Sequence, residues 1–111
     1  MFEYGKGVAQ DYAEAVRLYR LSAAQGYAFA QSNLGFMFYN GQGVAKDYAE
    51  AVRLFRLSAA QGHATAQNNL GDKFEFGLGV AQDRAEAIRL YRLAAAQGDA
   101  NATAALKRLG V

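Results

Sequence analysis

Eleven of the twelve glycines in this chain recur at a spacing of 36 residues: Gly5, Gly41 and Gly77; Gly7, Gly43 and Gly79; Gly26, Gly62 and Gly98; Gly35 and Gly71. Only Gly110 falls outside these columns. Residues 1–36 are identical to 37–72 at 27 positions, and 37–72 to 73–108 at 20. A repeat of this length argues against one compact core. Each copy is a single supersecondary unit that buries its apolar face only by stacking on its neighbours, and 111 residues hold about three copies. Ala is the commonest residue, with 24 copies, and Pro is absent. The best helix former combined with regularly spaced helix terminators makes the units all-α.

One period holds two helices. The B helix is expected to start at Asp11, Asp47 and Asp83, each followed three residues later by Glu14, Glu50 and Glu86 in an Asp version of the capping box. It is expected to stop at Gly26, Gly62 and Gly98. Arg17 and Arg20 and their copies lie beyond the acidic start, the order that the helix dipole favours. At 100° per residue Ala15, Leu18, Tyr19, Ser22 and Ala23 share the core face, and Leu21 lies on the other. The A helix is predicted over about 28–39 and 64–75, with a last copy from about Ala100. Tyr27, His63 and Asp99 take its capping position, and Ala30, Leu34 and Phe38 form its buried face. Gly35 and Gly71 fall inside it, at a cost of about 1 kcal/mol each relative to Ala. That placement predicts a close helix crossing. The loop Gly-x-Gly-Val then leads to the next B helix, with Val8, Val44 and Val80 plugging it into the core.

The chain divides accordingly into the tail of an A helix plus a B helix over 1–27, full repeats over 28–63 and 64–99, and a capping helix over 100–111. Met1–Tyr4 supplies only a stub of an A helix. This first end is expected to be open, as in an excised fragment or a chain whose end pairs with another molecule.

A 36-residue helical hairpin is close to the tetratricopeptide repeat. However, the run Ala30-Gln31-Ser32-Asn33-Leu34-Gly35, the loop Gly41-Gln42-Gly43-Val44, and Asp47-Tyr48, Ala51, Phe55, Ser58-Ala59 and Gly62 together resemble the Sel1-like repeat. This resemblance implies a right-handed α-α superhelix with A helices lining its concave side, and adaptor or scaffold roles. Cysteine-rich bacterial relatives staple each hairpin with a disulfide, which a chain without Cys cannot do. The Trp frequent in the family is replaced by Leu18, Leu54 and Leu90.

The inventory argues against catalysis and against a resident metal or cofactor. His63 is the only histidine and sits at a helix start, where capping is its expected role. No serine begins a Ser-x-x-Lys motif, and Gly5-Lys6-Gly7 lacks the rest of a P-loop. A formal charge of +2, from 12 basic and 10 acidic residues, does not imply nucleic acid. No apolar run approaches the roughly 20 residues of a membrane span, and no signal peptide is present, so a cytoplasmic setting is favoured.

The aromatic residues carry more information. Six rings repeat in core columns: Phe2, Phe38 and Phe74, and Tyr19, Phe55 and Tyr91. Those that break the repeat fall mostly at A-helix positions equivalent to 29, 36, 39 and 40, and positions 29, 33, 36 and 40 lie within about 60° of one another, away from the core. The candidate partner-binding face is therefore Phe29, Asn33, Phe36, Tyr39, Asn40, Asn69, Asp72, Glu75, Phe76 and Arg108, in which aromatic anchors stand among adaptable polar groups. Its mixed charges favour a peptide or protein ligand over RNA. Leu21, Leu57 and Leu93 form a second, full-period line on the B helices, a candidate surface for self-association into a homo-oligomer.

Overall fold

The computed structural model describes residues 4–111, with side chains from Asp11 onward. The described residues form six helices: α1 (Tyr4–Ala24), α2 (Ala28–Asn40), α3 (Tyr48–Ala60), α4 (Ala64–Phe76), α5 (Arg84–Ala96) and α6 (Ala100–Leu109). Among the described residues close backbone packing joins helices consecutive in the chain, and the molecule is elongated, 46 × 28 × 27 Å. This is the architecture that the repeat requires, with α2, α4 and α6 in the A role and α1, α3 and α5 in the B role.

Each hairpin is held by a crossing so close that a Cβ would crowd the facing helix. A Cβ on Gly35 would lie 3.0 Å from the Phe55 ring and 3.3 Å from the Ala51 carbonyl; one on Gly71 would lie 2.9 Å from the Tyr91 ring and 3.3 Å from the Ala87 carbonyl. With no side chain in the way, the two helices close around buried rings: Leu34, Phe38 and Phe55 in one unit, Leu70, Phe74 and Tyr91 in the next. The Ser58 hydroxyl donates to the Ala28 carbonyl at 2.7 Å, and Ala94 in its column is fully buried, so this column packs, as expected of small residues. Stacking from unit to unit uses a glutamine ladder. Gln61 Nε2 donates to the Gly26 carbonyl and to Gln31 Oε1, both at 2.8 Å, and Gln97 repeats the pair on Gly62 and Gln67.

The linking loop explains the Gly-x-Gly pattern. Gly43 and Gly79 adopt φ of 75° and 79°, and a Cβ there would meet the backbone oxygens of Tyr12 and Tyr48 in the preceding B helix, at 2.6 and 2.5 Å. Val44 and Val80 pack against the core from this loop; Val8 lies outside the described side chains. Gly26, Gly62 and Gly98 follow the B helices at φ of 91°, 86° and 91°.

The capping expectation holds in half. Asp47 and Asp83 accept from the backbone N–H groups of Glu50 and Glu86, at 3.0 and 3.1 Å. The return bond of a capping box does not form. The Asp47 and Asp83 N–H groups are taken by the carbonyls of Phe38 and Phe74 in the preceding A helices, and Glu50 and Glu86 bind Arg53 and Arg89 instead.

Asp11 departs from this pattern. It lies inside α1, which runs unbroken through Gly5 and Gly7, and therefore caps nothing. In the later copies the cap goes with an anchored loop. Asp47 needs the Phe38 carbonyl and Gly43 needs a B-helix backbone behind it. The column equivalent of Phe38 is Phe2, which lies outside the described residues. Across Gly5–Asp11 the chain continues as helix where the later copies form this anchored loop. Leu18, expected in the core, is 48% exposed, against 2% and 3% for Leu54 and Leu90, and Tyr19 is only half-buried. Tyr12 sits mid-helix, half-buried against the core.

Candidate partner-binding surface

The A helices present two consecutive grooves. The first lies between α2 and α4 and is lined by Ser32, Asn33, Phe36, Thr65, Asn68 and Asn69, closed by Asp99 and Asn101. The second, between α4 and α6, shares Asn68, Asn69 and Asn101 and adds Asp72, Tyr91 and Arg108. Of the residues expected on this face, the structure therefore brings together Asn33, Phe36, Asn69, Asp72 and Arg108. Phe36 is about half exposed, with no packing duty to account for it. Ser32, Thr65, Asn68 and Asn101 escaped the sequence reading because their signal is amide or hydroxyl chemistry in neighbouring columns, whereas the aromatic breaks in the repeat drew attention elsewhere.

Three expected residues lie beyond these grooves. Phe29 is exposed beside Tyr19, Ser22 and Tyr27 in a hollow at the α1–α2 turn, and its ring meets His63 edge-on at 6.4 Å. Phe76 is exposed at the end of α4, with the Arg108 guanidinium 5.8 Å from its ring centroid. Asn40 is exposed at the end of α2. Tyr27 and His63 occupy the N-cap positions of α2 and α4 but make no side-chain cap. Only Asp99 of that column caps, accepting from the Ala102 N–H at 2.9 Å.

Two expected residues belong instead to the junctions between units. Tyr39 is half-buried and stacks on Tyr48, centroids 5.0 Å apart. The Lys73 ammonium stands 3.7 Å from the Tyr39 ring centroid and 3.2 Å from Asp72 Oδ2. Burial, with Tyr48 and Asp72 nearby, pushes the Tyr39 hydroxyl above its ordinary range. Glu75 is buried. It accepts from the Tyr91 hydroxyl at 2.8 Å and takes both arms of Arg108 at 2.7 and 2.8 Å. The Arg108 hydrogen bonds hold the Glu75 carboxyl below the usual carboxylate range, with Tyr91 adding to the effect. Burial, and then the Glu75 acceptor, push the Tyr91 phenol far up. These breaks in the repeat compensate one another. Where Phe55 becomes Tyr91, the added hydroxyl needs a buried acceptor; Glu75 provides it in the Tyr39 column, and Arg108 neutralises the carboxylate.

The groove thus enters any encounter with Asp72 and Arg108 already paired, with Asp99 engaged in a helix cap, and with its amides available. On the B side, Leu21, Leu57 and Leu93 are exposed, as expected from their angular position. Among the described residues no group of His, Asp and Glu is placed to hold a metal ion, and no helix is long and apolar enough to cross a membrane.

Comparison with known proteins agrees with this architecture. The Sel1 repeat sequence signature matches residues 1–27, 28–63 and 64–99. A search of curated proteins gives no match. Among solved structures, the chain is similar to c5321, described as a protective antigen of uropathogenic Escherichia coli with an SLR fold, at 46% identity and a TM-score of 0.79 over 86% of this chain and 20% of that one. A Sel1 repeat protein from Oxalobacter formigenes matches at 39% identity and a TM-score of 0.78, over 81% of this chain and 37% of that one. The Helicobacter pylori cysteine rich protein B shares the fold at 21% identity and a TM-score of 0.77, over 82% of this chain and 68% of that one. The chain spans a fifth and little more than a third of the first two relatives.

Proposed function

Because this chain belongs to the Sel1 repeat family, whose members are generally protein–protein interaction scaffolds, we propose that it is a non-enzymatic module that binds a peptide or protein along the groove of α2, α4 and α6. The observation that carries this reading is the row of amides from Asn33 through Asn68 and Asn69 to Asn101, running beside the exposed ring of Phe36. Each amide offers both a donor and an acceptor, the pair that a peptide backbone presents in return. Phe36 supplies the apolar anchor that concentrates binding energy, and the paired charges leave little attraction for a polyanion.

Selection from a displayed random-peptide library, followed by titration of the selected peptide, tests the assignment. Phe36→Ala combined with Asn69→Ala is expected to weaken binding by at least about tenfold, the effect of losing one anchor of about 1.4 kcal/mol. Unchanged affinity in that variant, with the fold intact by circular dichroism, rejects the groove.

A further inference from the structure

The B side carries two clefts that repeat one another residue for residue. One lies between α1 and α3 with α2 as its floor, the other between α3 and α5 over α4, and every residue lining the first has an identical counterpart 36 positions on in the second. The A-side groove behaves oppositely: the column of Phe36 continues as Asp72 and Arg108, and that of Ser32 as Asn68 and Ala104.

Each cleft holds the same charge pattern. Glu50 is bound by both arms of Arg53 at 2.9 and 2.6 Å, and Glu86 by Arg89 at the same distances, so these pairs are neutral. The neighbouring Arg20 and Arg56 stand over the rings of Phe38 and Phe74, 5.4 and 5.3 Å from the centroids. Among the described residues no carboxylate lies within ion-pair distance of either. One uncompensated guanidinium per cleft remains, and beside it stands an exposed leucine, Leu57 in one cleft and Leu93 in the other.

Arg92 continues the series. Its column partner for Phe38 and Phe74 is Gly110, so this arginine has no ring to stack on and is present without the packing duty of the other two. The charge itself is the feature that repeats.

We propose that the B side docks an acidic amphipathic peptide segment, which places one carboxylate on the arginine and one apolar side chain on the leucine in each successive cleft. This surface is separate from the A-side groove. A second copy of the chain meeting this face would set Arg20, Arg56 and Arg92 against their equivalents, a like-charge arrangement. A phosphate-dense surface would leave the exposed Leu57 and Leu93 without an apolar partner. A peptide that alternates carboxylates with apolar groups matches both features of the cleft, and two linked contacts bind more tightly than either alone.

The test uses the full chain and a fluorescently labelled synthetic helix of Glu and Leu, with a twin in which every Glu is Lys. The Glu peptide is expected to bind with an affinity that falls as salt rises, and the Lys twin at least about tenfold more weakly. Arg20→Gln with Arg56→Gln, and separately Leu57→Gln with Leu93→Gln, should each weaken binding about tenfold. Arg92→Gln, which lines neither cleft, should weaken it far less than the paired Arg20 and Arg56 variant. Phe36→Ala should leave it unaltered, which separates this surface from the groove. The proposal is overturned by equal binding of the two peptides, by absence of binding to the Glu peptide, or by indifference to both the arginine and the leucine variants. Tighter binding to poly(U) or to phosphatidylserine–phosphatidylcholine vesicles overturns it as well. So does a dimer in sedimentation equilibrium that Leu57→Gln with Leu93→Gln dissolves.

Discussion

At the scale of single residues, identical side chains acquire different duties from their surroundings. Asp11, Asp47 and Asp83 are equivalent in sequence, yet only the last two meet a free backbone N–H at a helix start. Asp47→Ala and Asp83→Ala should each cost about 1 kcal/mol in urea denaturation, whereas Asp11→Ala should cost close to nothing. The glycines divide in the same way. Gly26 and Gly79 both adopt positive φ, but a Cβ on Gly26 meets nothing within 4 Å and one on Gly79 strikes the Tyr48 backbone. Thermal melts should place Gly79→Ala well below Gly26→Ala, since the first adds overpacking of about 1–3 kcal/mol to the conformational cost of about 1–2 kcal/mol that both carry.

At the scale of helices, the departures from the repeat act as matched sets at the junctions. Lys73 is buried in the column of Met37, with Asp72 and the Tyr39 ring as its partners. Replacing a buried charge by an apolar group of similar length removes its desolvation cost. Lys73→Met is therefore expected to leave stability unchanged or raise it by about 1 kcal/mol, while Asp72→Ala, which strands the ammonium, should lower it by about 1–2 kcal/mol. Chemical denaturation of the two variants decides between these signs. The Glu75 network joins α4, α5 and α6. Because the folded carboxyl is held below its ordinary range, its contribution is present above the unfolded value, about 4.3, and is lost as pH falls through the folded one. The Tm of the wild type should thus drop on acidification below about pH 4 more than the Tm of Glu75→Gln.

At the scale of the whole molecule, stability is a sum over neighbours, because backbone packing joins consecutive helices and the longer links, Lys73 to Tyr39 and Arg108 to Glu75, reach only the next unit. The central helices α3 and α4 have a partner on both sides; α6 is covered on one side, and the B face of α1 is left open at Leu18. Amide hydrogen exchange should therefore be slowest in α3, α4 and α5 and fastest in α1 and α6. The same linear arrangement lets the two sides of the molecule differ. Residues facing outward from the A helices are free to vary from unit to unit, whereas the B-side clefts are reproduced with each unit.

The sequence by itself determined the repeat, the helix pairs and their stops, the glycine crossings at Gly35 and Gly71, and the core columns around Leu34, Phe38 and Phe55. These are periodic, local features, and the physics that enforces them acts within a few residues or at one fixed offset. Only the tertiary structure decided which breaks in the pattern face outward. Tyr39 and Phe36 are both aromatic substitutions on one helix, yet Tyr39 is enlisted by Tyr48 and Lys73 while Phe36 stays exposed. Glu75 carried the signature of a surface carboxylate until Tyr91 and Arg108 closed on it from two other helices. Asp47 and Asp83 likewise cap at the end of a loop that neighbouring helices hold, whereas Asp11 lies inside a helix. Periodicity reports what every unit shares, but the partner of a residue that departs from it sits on another helix, at a distance that only packing sets.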